Sequence, residues 1–484
     1  MGGSDMLKIR DAVAMLVEVG RKDKRRNLQM SGDPHYQPKD LRPYLGYDQR
    51  VSWYILVEFF WMLALAKLRI MPRAQARLLT PRLLRTLLAK ITTTQVTKLE
   101  RRKTKHDILA LLACMRQHMP HALHRWLHWG LTSYDVICTA YALQLRYTFF
   151  DIFFPKMQEV DKMWRGHIAA TRATRQIGRT HLQNALPITV GAWLAVLHSR
   201  FVETGKIASI FAGFVTGKFS GAVGTSAACR AFLGKKRDVA GTALQLLGLL
   251  PAKPSTQITT PEDTQRFYHE IRLLSAVLAA LGDDVRHLQA SAIAEVISAS
   301  STSSTMSHKT GNPIAAENMD GMHASVLGEF LKLMLSTNST LQRVLTGSSV
   351  MRGYGANLVF TYQQLLTAER IFKGFQVNEL QCLKNFQDAG TLVMAELLHL
   401  SLQANGCPRA HSFVNKRVVP EAKKHRISLR SATERVVARS RDTRLIAAWR
   451  ATHARVLHLL DHPQEYIGDA ISMAEKECGN VLVA

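Results

Sequence analysis

The stretch "TPEDTQRFYHEIRLLSAVLAALGDDVRHL" (residues 260–288) predicts one long, buried helix. We expect Thr260 as its N-cap and Pro261 as its first helical residue. The acidic pair Glu262 and Asp263 then complements the helix dipole. Beyond this start, apolar residues recur at spacings of three and four, as on a helix that packs against parallel neighbours. These residues are Ile271, Leu274, Leu278, Leu281, Val285 and Leu288.

Three other long segments, near residues 140–175, 189–216 and 321–350, show the same spacing. Alternating apolar and polar residues, which are typical of strands, are almost absent from the chain. The pattern predicts an all-α fold with a central long-helix bundle, flanked by smaller helical regions. Bundles of this size often complete their cores by forming oligomers.

The composition is that of a soluble globular protein, with 484 residues of which 47% are hydrophobic. This length allows about two to four domain-sized units and a large core. The most apolar stretch, "WYILVEFFWMLALAKL" (residues 53–68), is too short to cross a membrane and is interrupted by Glu58, so it predicts a buried helix. The six cysteines show no CxxC or metal-ligand spacing, which favours a reducing, cytoplasmic compartment and argues against a zinc site.

The charge is strongly positive, because 63 Lys and Arg stand against 37 Asp and Glu, for a formal net charge of +26. Such a field attracts polyanions and speeds the capture of anionic ligands. The basic clusters are dispersed, without interleaved aromatic residues, so they indicate nonspecific polyanion affinity and not a known nucleic-acid module. The clusters are "RKDKRR" (21–26), "RRKTK" (101–105), "KKR" (235–237) and "KKHR" (423–426).

Five stretches combine polar side chains and glycines in ways that packing does not demand. Each has an ordinary interpretation when taken alone: a structural histidine, a helix cap at Thr132-Ser133, surface arginines, or a serine-rich linker. The stretches are "KTKHDI" with His106 and Asp107, "HWGLTSYDV" with His128, Thr132, Ser133 and Asp135, "GRTHLQNALPITVG" with His181 and Gln183, "STSSTMSHKTGNPIAAEN" with Ser303, Ser304 and Lys309, and "LQRVLTGSSVMRGYG" with Arg343, Ser348 and Arg352. The fourth reads as a loop followed by a helix that starts near Pro313.

Together and in this order, the five stretches resemble the fumarase/aspartase superfamily and, within it, the adenylosuccinate lyase family. The superfamily pattern is roughly Gly-Ser-Ser-x-Met-Pro-x-Lys-x-Asn-Pro with a Glu shortly after. The fourth stretch, which we call the signature loop (residues 301–313), matches it at Ser303, Ser304, Met306, Lys309, Asn312 and Pro313, with Glu317 following. "KFSGAVGT" (218–225) and "STQI" (255–258) also fall in the expected order, and the resemblance spans about residues 31–475.

The resemblance implies a β-elimination that releases fumarate from adenylosuccinate and from a succinylated aminoimidazole carboxamide ribotide, in purine biosynthesis. It implies a three-domain helical fold and a homotetramer with active sites shared between subunits. No metal or organic cofactor and no membrane contact is implied, and the partner is an anionic nucleotide substrate. The expected units are an N-terminal extension (1–30), an N-terminal helical domain (31–133), the central bundle (134–395) and a C-terminal helical domain (396–484).

By the same resemblance, Ser303 is the base, acting as an alkoxide, and His181 is the general acid that protonates the departing nitrogen. Lys309 and backbone N–H groups stabilise the dianionic carbanion, and His106 assists binding or orients the acid. The hydroxyl-rich loop is interpreted as a lid that closes on the substrate. The implied substrate-binding residues are Tyr36, Asp107, Thr132, Ser133, Gln257, Ser304, Met306, Asn312, Arg343, Ser348 and Arg352.

The sequence also departs from the family pattern. His35 replaces an arginine, Thr302 a glycine, Ser307 a proline and Cys138 an aspartate, and one extra residue separates Lys309 from Asn312. A second hypothesis is therefore a catalytically weakened homologue kept for assembly or polyanion binding. A displacement of about 1 Å in such a site can cost on the order of 100-fold in rate.

Overall fold

Helices dominate the chain, and strands occur only as short pairs in the part that the structure covers. The structure is a computed structural model that describes residues 6–30, 32–298, 305–306, 308, 311–336, 341–342 and 347–483. Within these ranges the strands form three two-stranded sheets. The strands are β1 (Arg175–Thr180), β2 (Gln183–Thr189), β3 (Thr216–Gly217), β4 (Leu250–Pro251), β5 (Val296–Ile297) and β6 (Gln376–Val377).

The N-terminal part is built of seven helices, one of which, α3, is very apolar. The helices are α1 (Ile9–Lys22), α2 (Arg42–Leu45), α3 (Arg50–Lys67), α4 (Arg73–Ala76), α5 (Pro81–Lys90), α6 (Thr93–Leu99) and α7 (Asp107–Gln117). Every residue of α3 from Val51 to Leu65 is buried, as expected for this stretch. α1 lies within the expected N-terminal extension and packs against α5.

The central part contains the long helices of the bundle together with several shorter ones. They are α8 (Ser133–Thr148), α9 (Phe154–Thr171), α10 (Val190–Gly213), α11 (Ala227–Leu233), α12 (Val239–Leu247), α13 (Glu262–Gln289), α14 (Ile314–Leu335), α15 (Gly347–Met351) and α16 (Gly355–Lys373). α13 is the central member, since it packs against α10, α14 and α16, while α9 packs against α10 and α16.

The stretch 260–288 forms the predicted helix, with one correction at its start. The helix begins at Glu262, and Pro261 holds the cap position, where its carbonyl accepts the N–H of Gln265 at 2.9 Å. The expectation of Thr260 as N-cap was therefore one residue too early. The predicted seam is confirmed, because five of its residues are fully buried: Ile271, Leu274, Leu278, Leu281 and Val285.

Of the other predicted long helices, the first two are confirmed and the third is wrong in its extent. A π-helical turn, Phe149–Phe153, joins α8 to α9, and α10 spans the second segment. The third segment instead contains the end of α14 at Leu335 and the separate short α15. At the end of α14 the Ser336 hydroxyl donates to the Leu333 carbonyl at 2.8 Å, a local bond of the kind that competes with continuation of a helix. Residues 337–340 and 343–346 of the predicted segment lie outside the described residues. The helix expected near Pro313 begins at Ile314.

The hairpin of β1 and β2 was not predicted. Its strands pair antiparallel through residues 175–180 and 183–189. The turn consists of His181 and Leu182, both in the left-handed region with φ of 54° and 59°. Hairpin turns of this kind normally use glycine or asparagine, so the usual sequence signal for the hairpin is missing.

The C-terminal part has its own hydrophobic core, formed by buried residues between Met394 and Leu460. Its helices are α17 (Glu379–Ala389), α18 (Ala395–Ala404), α19 (Ala410–Phe413), α20 (Val419–His425), α21 (Leu429–Ala438), α22 (Thr443–Arg450), α23 (Ala454–Asp461) and α24 (Ala470–Cys478). The last helix, α24, returns to the bundle and packs against α9 and α10. The domain boundaries expected from the sequence remain a prediction. No helix in the described ranges is long and apolar enough to span a membrane.

A buried polar network links three helices of the bundle. The Ser275 hydroxyl of α13 donates to Oε1 of Gln364 on α16 at 2.7 Å, and it lies 3.0 Å from Nδ1 of His323 on α14. Since the serine proton is already used, Nδ1–H of the histidine must be the donor. Burial lowers the pKa of His323, and Arg272 lowers it further, against an opposite effect of Asp320.

This network makes the stability of the bundle depend on pH. The lowered pKa of His323 means that the unfolded chain binds more protons between the two pKa values. Stability is therefore full above about pH 6.5, the pKa of an unperturbed histidine, and falls as the pH drops through the folded pKa. We expect the melting temperature to fall between pH 7.5 and 5.5, and to fall less in His323→Asn. A His121→Asn control, at an exposed histidine, should follow the parent. Equal slopes for all three proteins would contradict this role.

Candidate active site

His106 and Ser133, predicted from separate motifs, meet at the starts of two helices. His106 precedes α7, and Ser133 is the first residue of α8. The Ser133 hydroxyl lies 3.2 Å from Nε2 of His106. The other ring nitrogen, Nδ1, is 3.5 Å from a carboxylate oxygen of Asp107 and is buried without a hydrogen-bond partner. The imidazole is thus held at one nitrogen and lies against a carboxylate at the other.

The arginine motif near residue 350 joins the same cluster. Arg352 lies 3.6 Å from Oδ2 of Asp107, and its guanidinium donates to the Ser348 hydroxyl at 3.5 Å. Both contacts are long and the arginine side chain is 49% exposed. Its guanidinium can therefore exchange the carboxylate of Asp107 for an anionic ligand at little cost.

A cavity of about 580 Å³ adjoins this cluster, and its lining is rich in cations. Four basic side chains and two acidic ones line it. The lining residues are Tyr47, Arg50, Thr97, Glu100, Arg101, Lys105, Asp107 and Arg352. A hollow of this size with an excess of positive charge suits a phosphate-bearing ligand.

A neighbouring hollow contains the phenols of Tyr141 and Tyr354. Burial raises the pKa of Tyr141, and it raises the pKa of Tyr354 to about 12. Both phenols therefore keep their protons at neutral pH, where they can serve as hydrogen-bond donors and not as bases. Cys138, one of the departures from the family pattern, lines the same hollow, and burial raises the pKa of its thiol.

A buried carboxylate, Asp135, positions the Thr132-Ser133 segment. It is fully buried and accepts the backbone N–H of Thr132 at 2.8 Å. It also forms an ion pair with Lys218 and accepts the N–H groups of Ser220 and Gly221 at 3.0 and 3.2 Å. Asp135 thus completes the cap at Thr132 and also holds the loop 218–221 against the start of α8.

That loop in turn contacts the segment that carries Gln257. The hydroxyls of Ser220 and Ser255 lie 2.9 Å apart, and Gln257 donates its backbone N–H to the Gln342 carbonyl at 3.1 Å. Gly224, with φ of +83°, allows the close approach, because a Cβ there would lie 1.8 Å from the Ser255 carbonyl oxygen. Residues 218–224, 255–257 and 342 therefore lie together on one side of the cluster.

The buried acid of α3 orders the loop before α8. Glu58 is fully buried, and one of its oxygens lies 2.6 Å from Nδ1 of His128. Its other oxygen accepts the His128 backbone N–H at 3.0 Å, and this histidine is held in the left-handed region with φ of 61°. Trp61 adds a hydrogen bond from its indole N–H to the Trp129 carbonyl at 2.9 Å. The acid that interrupts the apolar run is therefore a support for the site.

The core of the signature loop, with Ser303, Ser304 and Lys309, lies outside the described residues, as does Arg343. Met306 is exposed and Asn312 is half-buried. One side chain, Gln289 at the end of α13, contacts Ser298, which precedes the loop, and Gly311 near the end of the loop. Its Nε2 donates to the Gly311 carbonyl at 2.6 Å, and its Oε1 accepts the Ser298 N–H at 3.2 Å.

His181 is exposed at the tip of the β1–β2 hairpin. Strand β1 is secured by Glu295, a fully buried acid that pairs with Arg179 at 2.6 Å. Gln176 and Asn385 each donate an amide N–H to the same carboxylate at 2.8 Å. Among the described residues, no hydrogen bond or ion pair joins His181 to the cluster.

Tyr36 is the other predicted residue that the fold leaves apart. It ends a single helical turn, Pro34–Tyr36, and packs edge-on against His35 with ring centres 5.0 Å apart. It does not line the cation-rich cavity.

The sequence analysis missed several residues that build or line the site. Arg101 and Lys105 belong to a basic cluster that the sequence pattern assigns to nonspecific polyanion affinity and not to the site. Glu58 could have been found from the sequence, because it is a single acid within an apolar run. Lys218, the partner of Asp135, and Glu295, the partner of Arg179, have no comparable signal in the sequence. The missed residues are Arg50, Glu58, Arg101, Lys105, Lys218, Gln289 and Glu295.

Comparisons with known proteins agree with this architecture. A family model described as "Lyase" matches residues 83–328, just over half of the chain. An adenylosuccinate lyase of Synechocystis sp. is 29% identical over 321 residues, 64% of this chain and 72% of that protein. An adenylosuccinate lyase of Pyrococcus horikoshii is 27% identical over 419 residues, 83% of this chain and 89% of that protein.

Two solved structures share the fold. A fumarate lyase from Mesorhizobium sp. BNC1 is 22% identical with a TM-score of 0.76, over 93% of this chain and 100% of that one. A 3-carboxy-cis,cis-muconate lactonizing enzyme from Pseudomonas putida is 21% identical with a TM-score of 0.76, over 92% and 97%. The fold is therefore the all-helical fumarase/aspartase type with a central bundle, as expected. The chain belongs to the lyase family matched over residues 83–328, within the fumarase/aspartase superfamily, and is a lyase.

Proposed function

We propose that this lyase is an adenylosuccinate lyase of purine biosynthesis, which releases fumarate from adenylosuccinate to give AMP. It would also cleave the succinylated aminoimidazole carboxamide ribotide. The observation that carries the proposal is the cation-rich cavity of about 580 Å³ beside His106, Asp107 and Arg352, which suits a substrate with a phosphate and two carboxylates. The curated relatives named adenylosuccinate lyase support the choice of substrate.

In the proposed reaction, Ser303 removes the proton from the carbon beside one carboxylate of the succinyl group. The electron pair passes through a dianionic carbanion to the new C=C bond of fumarate as the C–N bond breaks. His181 gives a proton to the departing nitrogen, which leaves as the amine of AMP. Lys309 supplies positive charge to the carbanion, where the transition state needs it.

The remaining predicted residues would bind the two ends of the substrate. We assign the succinyl carboxylates to Thr132, Ser133 and Gln257, with His106 held in place by Ser133. We assign the phosphate end to Arg352 and the other cations of the cavity, because Asp107 holds the guanidinium only loosely. Further binding groups in the proposal are Tyr36, Asp107, Ser304, Met306, Asn312, Arg343 and Ser348.

The proposal also includes a homotetramer in the cytoplasm with active sites shared between subunits. It would explain why His181 is exposed on its hairpin while the rest of the assigned groups lie elsewhere in the chain. A second copy would bring its hairpin to the cluster.

An ultraviolet assay with adenylosuccinate tests the function. We expect turnover by the parent and losses of about 100- to 10,000-fold in Ser303→Ala and His181→Ala, the usual worth of a general base or acid. Ser301→Ala in the same loop and His121→Ala are matched controls and should stay near the parent rate. An inert parent, or one that releases fumarate only from argininosuccinate, would overturn the choice of substrate.

A second test concerns the support of the signature loop by Gln289. Gln289→Ala removes its hydrogen bonds to Ser298 and Gly311, and we expect kcat to fall by about 10- to 100-fold with a smaller change in KM, because the base moves while the binding groups outside the loop stay. Gln289→Glu should lower kcat to a similar extent, because its carboxylate cannot donate a hydrogen bond to the Gly311 carbonyl. Gln245→Ala, at an exposed glutamine of α12, is the control. A full parent kcat in Gln289→Ala, or a loss explained by a lower melting temperature, would refute this role.

A further inference from the structure

The positive charge of the chain is only partly explained by the candidate site. The cluster 101–105 contributes Arg101 and Lys105 to the cation-rich cavity. The cluster 423–426, in contrast, lies in the C-terminal helices, which contribute none of the candidate site residues. Its charge therefore needs a separate account.

Five cations define what we call the basic face of the C-terminal part: Lys416, Arg417, Lys423, Lys424 and Arg426. All five side chains are exposed. α19, a π-helical segment (Val414–Val418) and α20 follow one another without a break, so the first four cations form two pairs about two turns apart. The opposite side of this run is buried, at Val414, Val418 and Ala422.

The acids near the basic face are all engaged by other partners. Residues 409–444 contain 11 Lys and Arg against three acids. Glu421 lies 3.5 Å from Arg439, and Glu434 lies 3.2 Å from Arg430. Asp442 caps α22, where it accepts the backbone N–H groups of the residues two and three positions on at 3.0 and 3.1 Å.

None of the five cations of the basic face forms an ion pair within the described ranges, and residues 347–483 are described throughout. The positive field of this face is therefore left uncompensated by the chain itself. A ligand that supplies several negative charges in a row would gain the most from it.

The lack of exposed apolar side chains helps to distinguish between a membrane surface and a nucleic acid as the polyanionic ligand. No large hydrophobic side chain is exposed between Leu400 and Met473. A helix that binds a membrane surface needs apolar residues to insert beside its cations, and this face has none. It also offers no exposed phenylalanine, tyrosine or tryptophan ring on which a base could stack. The ligand that best matches this face is therefore a polymer with evenly spaced phosphates.

We propose that the basic face binds nucleic acid through the phosphate backbone, without reading its sequence. This binding is independent of the lyase reaction and uses residues that are outside the candidate active site. It depends on counterion release, so it weakens steeply with salt.

Fluorescence anisotropy with a labelled 20-nucleotide RNA, over 50 to 200 mM salt, tests the proposal. The triple variant Lys416→Gln, Lys423→Gln and Lys424→Gln should bind at least about tenfold more weakly at 0.1 M salt, and the slope of log K against log salt should become shallower by about 2. The matched control, Lys67→Gln, Arg73→Gln and Arg77→Gln, removes the same charge from another exposed surface. It should change affinity less than about threefold.

Both triple variants should keep the lyase activity of the parent, so loss of RNA binding is separable from loss of catalysis. Equal weakening in the two triples would mean that only net charge matters, and would overturn the proposal. So would a parent that leaves RNA free at 50 mM salt, or one that binds vesicles of phosphatidylserine and phosphatidylcholine and ignores RNA.

Discussion

The candidate site depends on one buried carboxylate, that of Asp135. It accepts the N–H that starts α8, pairs with Lys218 and accepts two N–H groups of the loop 218–221. Ser133 is thereby fixed next to His106, and the loop is fixed next to Ser255. Removing one partner of such a pair leaves the other charge buried and typically costs about 3–5 kcal/mol. Glu58 and Glu295 work in the same way for the loop at His128 and for the hairpin.

The fold could be predicted from the sequence where the pattern is long and periodic. The seam of α13 and the uniformly apolar α3 could be predicted without knowing which helices pack against them. The β1–β2 hairpin could not be predicted, because His181 and Leu182 turn it without the glycine or asparagine that normally marks such a turn. The break after Leu335 was overlooked although the hydroxyl-rich run that follows it is visible in the sequence.

The candidate site was predictable as a set of side chains and not as an assembly. The motifs selected His106, Asp107, Ser133 and Arg352, and these residues do lie together. The groups that hold them were not found, because a lysine 83 residues away from Asp135 leaves no trace in local spacing. The positive charge was also insufficient to locate the site. The cluster 101–105 contributes Arg101 and Lys105 to the cavity, whereas the cluster 423–426 is exposed to solvent, and the two cannot be distinguished by composition.

The central proposal is that His181 of one subunit completes a site in which the base, Ser303, belongs to another copy. Mixing inactive Ser303→Ala with inactive His181→Ala, followed by dissociation and reassembly, tests it most directly. Random reassembly of equal amounts should restore about one quarter of the parent activity, because both groups are intact at that fraction of shared sites. Each variant treated alone should stay inactive. If the mixture also stays inactive while tetramers form, the two residues act within one chain and the account is wrong.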